Sequence, residues 1–183
     1  NMAKVLLPLA DGCEELEAVT IIDVLRRAEI EVVVAGLKEG PVRASRGVTL
    51  VPDTTLDAAL ARGGFDAVVL PGGMGGTHAL AADARVEAVL KEFAAAGKTV
   101  AAICAAPLVL AKAGLLTGRR FTAYPGVLKD ADAGGAQTGA AVEADGNVVT
   151  SRGPGTAMDF SLTLVELLRN RKTREEVESG LVR

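Results

Sequence analysis

Cys104 stands where the apolar, β-branched run Thr99–Ile103 gives way to Ala105, Ala106 and Pro107, a helix-compatible start. A strand that ends on a nucleophile and turns sharply into a helix is a nucleophile elbow. So tight a turn needs small neighbours, and Ala101, Ala102, Ala105 and Ala106 are all small. A helix behind the turn would direct unpaired N–H groups and partial positive charge at the sulfur, favouring thiolate, the reactive form. A buried structural cysteine is the competing reading of the same segment, because free cysteine is among the most buried residue types.

Three other stretches offer partners. Glu17 starts a row with Ile21, Val24 and Ala28 at three- and four-residue spacing, so it heads the apolar face of a helix. Desolvation there raises a carboxyl pKa and keeps the group neutral, able to donate to a Cys104 thiolate or to shuttle a proton. An N-terminal carboxylate favoured by the helix dipole is the alternative, and Glu14 and Glu15 suit it better than Glu17 does. Gly72-Gly73, after an apolar strand, could supply backbone N–H groups to an oxyanion hole together with the N–H of Ala105. A turn that merely ends a strand is the simpler account of the glycine pair. His78, the single histidine, lies five residues past Gly73, in a loop or a first turn. It is either a base for Cys104 or an exposed loop residue. Cys13 is either a resolving thiol for an oxidised Cys104 or a small half-buried residue at a helix start. Arg26, Arg27 and Arg46 can pair with Glu14, Glu15 or Asp23 as surface ion pairs.

The elements that must position these residues alternate between strand-like and helix-like. Lys4–Leu9, Glu31–Leu37, Phe65–Leu70, Thr99–Ile103, Arg120–Ala123 and Asn147–Ser151 read as strands. Glu14–Ala28, Thr54–Arg62 with Thr54 or Thr55 as N-cap, Asp83–Ala96, Ala106–Gly114, Thr156–Arg169 and Glu175–Leu181 read as helices. Val42–Val51 holds a turn at Ser45-Arg46-Gly47 between two short strands, and Asp130–Gly139 reads as loop. The expected product is a flavodoxin-like three-layer α/β/α sandwich with a mostly parallel sheet, a single domain over residues 2–183. Sites in such sheets form beyond the carboxyl ends of the strands. Gly12-Cys13-Glu14, Pro71-Gly72-Gly73, Cys104 and Tyr124-Pro125 each follow a strand and should meet on one rim. The first helix is apolar nearly all round, from Leu16 to Leu25, which predicts a second buried face and hence a homodimer contact.

Composition narrows the function classes. The chain has 183 residues, 49% of them hydrophobic and 23% charged, as soluble globular domains do. A net charge of −3 with scattered basic residues, 3% aromatics and no Trp argue against a nucleic-acid partner. No apolar run reaches the length of a membrane span and no signal peptide opens the chain, so no membrane partner is expected. Asn1 ahead of Met2 reads as a tag remnant. Two cysteines are too few for a disulfide scaffold or a cysteine-based zinc site, and they fit a reducing, cytoplasmic setting.

Taken together the motifs resemble the ThiJ/PfpI superfamily, most closely its DJ-1/YajL-like branch. The resembling residues are Glu14-Glu15-Leu16-Glu17, Val34-Ala35-Gly36-Leu37, Ser45-Arg46-Gly47, Leu70-Pro71-Gly72-Gly73, Ala101 through Pro107, Leu128-Lys129-Asp130 and Thr150 through Thr156. They run in order over nearly the whole chain. The resemblance implies an elbow cysteine at Cys104 that oxidises readily to sulfinate, a protonated Glu17 hydrogen-bonded to it, and Gly72, Gly73 and Ala105 around an oxyanion pocket. It implies a homodimer, with Arg27 and Arg46 near its contact and, with Tyr124, behind the primary site residues. Two positions depart from the pattern. Members that act as intracellular proteases carry His where this chain has Ala105, and DJ-1-like members carry His where it has Tyr124.

Those departures order the functional readings. A tyrosine hydroxyl is a poor base near neutrality. Peptide hydrolysis needs a proton for its amine leaving group, so peptidase or amidotransferase-like hydrolysis loses most. A cysteine-dependent, cofactor-free glyoxalase or deglycase acting on dicarbonyls such as methylglyoxal, or on their adducts, needs only a nucleophile, an acid/base and oxyanion donors, with no metal. A stress-responsive chaperone switched by oxidation of Cys104, with modified or unfolded proteins as clients, is the alternative.

Overall fold

Alternate residues of the first strand face opposite layers, and this divides the molecule. The computed structural model describes residues 2–183; Asn1, read above as a tag remnant, lies outside the described residues. In β1 (Lys4–Leu9), Val5, Leu7 and Leu9 join one buried cluster and Leu6 joins the other. With both faces covered, the strand is a continuous apolar run, as expected of a central parallel strand.

β1 is followed by α1 (Glu15–Arg27) and β2 (Glu31–Gly36), the hairpin of β3 (Val42–Arg43) and β4 (Thr49–Leu50), β5 (Thr54–Thr55), α2 (Leu56–Arg62), β6 (Ala67–Leu70), α3 (Met74–Ala82) and α4 (Ala84–Ala95). β7 (Thr99–Ile103), α5 (Pro107–Lys112), β8 (Arg120–Phe121), α6 (Asp130–Ala133), β9 (Ala136–Gln137), β10 (Val142–Asp145), β11 (Val148–Ser151), α7 (Ala157–Leu168) and α8 (Arg171–Leu181) complete the chain. The central sheet has seven strands in the order β10-β11-β7-β6-β1-β2-β5, all parallel except the edge strand β10. Residues of α1, α7 and α8 complete the cluster on one face, and residues of α2 to α6 the cluster on the other. This is the flavodoxin-like α/β/α sandwich the sequence predicts.

The chain runs outward from β1 through β2 to β5, then returns to β6 and proceeds the other way. The order therefore reverses between β1 and β6. The crevice past their carboxyl ends is the topological switch point, where sites in open parallel sheets form. The loops after β1, β6 and β7 meet there.

Several boundaries differ from the sequence reading. Met74–Ala82, assigned no element above, is α3. Gly75 and Gly76 disfavour a helix, yet they let it lie against the loop after β1: a Cβ on Gly76 would sit 2.8 Å from Cys13 Cα. Close packing outweighs propensity here. Val142–Asp145, also unassigned, is β10, whose apolar–polar alternation ahead of Gly146-Asn147 was a usable hairpin signal. Arg120–Ala123 shortens to β8, which pairs with β9 in a separate two-stranded sheet. Tyr124 therefore follows no strand of the central sheet. Asp130–Gly139 is not all loop, since it contains α6 and β9. Thr54–Thr55 belongs to β5, and Thr55 caps α2 by accepting from Ala58 N–H. The last helix begins at Arg171 rather than Glu175, because Asn170 accepts from Thr173 N–H as its N-cap.

On α1, Glu17, Ala18, Ile21, Val24 and Leu25 are buried, with Ala18, Ile21, Val24 and Leu25 in the cluster that α7 completes. Leu16 and Val19 remain about half exposed. Within one chain, the second apolar face of this helix faces solvent.

Candidate active site

Cys104 occupies the three-residue turn between β7 and α5 with a φ of 67°. This left-handed conformation is costly for a residue with a Cβ and persists only where the surroundings impose it. Here they do so from both sides. Cys104 N–H donates to the Ser151 carbonyl at 2.9 Å, and the Cys104 carbonyl accepts from Tyr124 N–H at 2.8 Å. Pro107, with its preset φ and missing N–H, then opens α5. The elbow read from the sequence is present, anchored by a neighbouring strand as well as by its own helix.

Glu17, one turn into α1, is completely buried. Its Oε1 accepts from Gly72 N–H at 2.9 Å. Its Oε2, equally buried, has no hydrogen-bond partner, and the neighbouring side chain that lowers the pKa of this carboxyl is Cys104. Gly72 lies between them. A Cβ there would fall 2.6 Å from both Cys104 Cβ and Glu17 Oε1, and 2.8 Å from the Ile103 carbonyl. Only glycine lets the loop after β6 pass between acid and thiol. Gly73, at a φ of 90°, runs equally close to the backbone of Gly12 and Glu14. Its N–H and that of Ala105 lower the pKa of the Cys104 thiol. Of the three expected oxyanion donors, Gly73 and Ala105 favour the charged sulfur, whereas Gly72 spends its N–H on Glu17.

Burial raises the Glu17 carboxyl from 4.5 to about 7, against hydrogen bonds from Cys104 and Gly72 that lower it. Burial also pushes the Cys104 thiol up to about 12, helped by the negative charge of Glu17, while Ala105 and Gly73 N–H pull it down. The thiolate expected from the elbow alone is therefore opposed by desolvation. The two groups titrate as a pair, since charge on either raises the other. With the proton on Glu17 that repulsion disappears. A protonated Oε2 would then have the sulfur as its acceptor, and Gly73 and Ala105 N–H favour the same sulfur as thiolate. In that arrangement each polar atom of the pair has a partner, which a buried site requires.

Cys104 opens onto a cavity of about 720 Å³ whose lining includes Gly73, Met74, Ala105, Arg46 and Tyr124. Arg46 and Tyr124 are thus brought to the site. Arg27 is not: it lies at the far end of α1, paired with Asp23. His78 is exposed on α3 and does not line the cavity. Cys13, 1% exposed and raised to about 12 by burial, is absent from the lining as well, which favours the packing reading over the resolving thiol.

Glu15, read from the sequence as a first-turn acid or a surface ion-pair partner, has a different role. Burial works to raise its pKa, but hydrogen bonds from its own N–H, Ser45, Val48 and Arg46 prevail and hold it at about 2. Ser45 Oγ donates to Oε1 at 3.0 Å, and Arg46 and Val48 N–H donate to Oε2 at 2.9 and 3.2 Å. One carboxylate thus fastens the turn that carries Arg46 over the cavity. In the sequence it looked like any first-turn acid, because its partners lie some thirty residues away.

Comparison with known proteins places this geometry in context. Residues 3–167 match the DJ-1/PfpI family. Protein dj-1beta of Drosophila melanogaster is 45% identical over 179 residues, covering 97% of this chain and 95% of the relative. The crystal structure of Drosophila melanogaster DJ-1beta superposes with a TM-score of 0.92 at 42% identity, covering 100% of this chain and 98% of that one. Toxoplasma gondii DJ-1, solved in an oxidized form, gives a TM-score of 0.90 at 40% identity over 98% of each chain. A protein of Pyrococcus abyssi named as a deglycase is 37% identical over 167 residues, 91% of this chain and 99% of the relative.

The buried acid has a consequence for stability. Below about pH 4.5 folded and unfolded chains both keep the Glu17 proton; as pH rises to about 7 only the folded chain does, so stability falls through that window. The loss reaches up to about 3 kcal/mol. Glu17→Gln has no such proton. In urea titrations across this range its stability relative to wild type should rise by that order, and parallel curves would show that burial does not hold the acid neutral.

Proposed function

The chain belongs to the DJ-1/PfpI family, and from that premise we propose that it is a cofactor-free, cysteine-dependent enzyme of the glyoxalase or deglycase type, acting on reactive dicarbonyls such as methylglyoxal or their protein adducts. One observation carries this reading: Cys104 lies at an open cavity beside a buried acid and two N–H donors, with no histidine in the lining. Such a set suits carbonyl addition better than peptide hydrolysis, which needs a general acid for its amine.

The proposed reaction starts with the Cys104 thiolate attacking the aldehyde carbon. This forms a C–S bond and places the electron pair on oxygen, near the Gly73 and Ala105 N–H groups; the oxygen takes the Glu17 proton, which gives a hemithioacetal and leaves Glu17 as carboxylate. Glu17, as carboxylate, then removes the hydrogen of that carbon and returns it to the adjacent carbonyl carbon, while the hydroxyl proton passes from the first oxygen to the second. The product is a thioester of a 2-hydroxy acid. Water cleaves it, releasing lactate when methylglyoxal is the substrate and returning the proton to the site. Carbon is oxidised at one centre and reduced at its neighbour, so no external oxidant is consumed. The name of the Pyrococcus abyssi relative agrees with carbonyl chemistry of this kind.

A redox-sensing reading, with oxidised Cys104 switching a chaperone activity, is favoured by one contrast: Cys104 lines the cavity while Cys13 is sealed in the core. A homodimer through α1 is favoured by its open apolar face, where Leu16 and Val19 are exposed.

Wild type should convert methylglyoxal to lactate without added cofactor. Cys104→Ala should fall to background and Glu17→Ala by roughly a hundredfold or more; a wild type no faster than buffer sinks the enzyme reading. Mild peroxide should add two oxygens to Cys104, releasing water, and none to Cys13, and the switch fails if client protection is the same before and after. Sedimentation should give the mass of two chains for wild type and one for Val19→Glu, so a monomeric wild type removes the dimer.

A further inference from the structure

β11 ends in two residues that a core strand does not call for. Val148 and Val149 are apolar, but Thr150 and Ser151, nearest the elbow, are polar, and neither is more than 1% exposed. Thr150 lies on the same strand face as Val148, which belongs to an apolar cluster, so a hydroxyl there is unfavourable unless it is bonded. Thr122 N–H supplies the bond, donating to Thr150 Oγ1 at 2.9 Å. Thr122 is itself completely buried, two residues before Tyr124.

That bond closes a ring around the reactive residue. Cys104 N–H donates to the Ser151 carbonyl, and the Cys104 carbonyl accepts from Tyr124 N–H. Ser151 follows Thr150, and Tyr124 follows Thr122 by two residues, so Thr150 Oγ1 joins the two anchors of the elbow to each other. Each anchor is tied down again outside the ring. Ser151 Oγ donates to the Ala141 carbonyl at 2.7 Å, and Thr122 Oγ1 to the Ala140 carbonyl at 2.7 Å. Tyr124 lies outside every strand, and its segment is bonded to the central sheet beside the elbow at Thr150. A left-handed φ at a residue with a Cβ persists only where its surroundings over-determine it, and this ring does so at Cys104.

We propose that Thr150 is a positioning residue for Cys104: its buried hydroxyl oxygen locks the two anchors of the elbow together and so holds the cysteine in the left-handed conformation that presents its sulfur to the cavity. Thr150 does not line that cavity, and it acts through Cys104 alone. An elbow relaxed toward an ordinary φ would move the sulfur relative to Gly73 and Ala105 N–H, the groups that pull its pKa down. Displacements of about 1 Å at a reacting atom can slow a reaction by roughly a hundredfold. The role concerns the reactivity of the thiol toward any electrophile and does not rest on the dicarbonyl reading.

The test is the rate at which iodoacetamide alkylates Cys104, followed by mass spectrometry as a function of pH. Thr150→Val keeps the shape of the side chain and removes the oxygen. It should slow alkylation at neutral pH by roughly tenfold, and Thr150→Ser should restore most of the rate. Val148→Ala, on the same face at the other end of β11, removes packing without touching the ring and should leave the rate at the wild-type value. Cys13, sealed in the core, reports general loosening and should stay unmodified throughout. A merely structural threonine predicts the opposite: a lower urea midpoint, with both cysteines alkylated as fast as in wild type or faster. That result overturns the proposal, as does equal slowing by Val148→Ala or a Thr150→Ser variant no faster than Thr150→Val. Should Thr150→Val not fold, Thr150→Ala against Thr150→Ser isolates the same oxygen. With methylglyoxal, Thr150→Val should lower kcat by a similar factor and change KM little. Slowed alkylation in a protein whose wild type turns over no methylglyoxal would remove the dicarbonyl reading and leave the positioning role standing. Wild-type turnover with alkylation unchanged in Thr150→Val would do the reverse.

Discussion

The absence of a side chain at Gly72 is the constraint on which the site depends. Three chain segments that are distant in sequence pass through one small volume there: the first turn of α1, the loop after β6 and the turn after β7. Glu17 reaches Gly72 N–H from one side and Cys104 packs on the other. The acid and the thiol can share a proton because nothing larger than hydrogen stands between them. The parallel sheet supplies the means, since it ends β1, β6 and β7 side by side at the point where strand order reverses.

The electrostatic consequence is that neither member of the pair has a pKa independent of the other. A cysteine at an exposed helix start owes its reactivity to the dipole and to nearby cations. Cys104 is largely desolvated, and its charge is tolerated to the extent that Glu17 is neutral and two backbone N–H groups point at the sulfur. Glu15 shows the opposite outcome two residues earlier on the same helix: four donors surround it, and its charge is retained. Adjacent acids of one motif thus take contrary protonation states because one has donors and the other has apolar walls.

How far the sequence could be read follows from the range of the forces involved. β1, β6 and β7 were legible because burial on both faces makes a strand uniformly apolar, a local property. The elbow was legible because tight turns need small residues on both sides of Cys104. Glu17 was found by its spacing within α1, which is also local. What escaped depends on partners far away in the chain. α3 folds against its own glycines because the loop after β1 comes close enough to need them. The His-poor composition, by contrast, gave an exclusion that geometry agreed with: the single histidine, His78, is absent from the cavity lining.

The alternation of faces along the central strands reaches as far as the elbow. Cys104 belongs to the core shared by α1 and α7, whereas Ala106, two residues on, belongs to the core shared by α4 and α5. The reactive turn is therefore a rivet through both layers of the sandwich. Genetic damage to such a protein would not be confined to the cavity. A methyl group lost from either layer can shift the turn while leaving every reacting group chemically intact, so inactivating alleles would scatter across the whole interior and would be recognised by lost abundance as often as by lost chemistry.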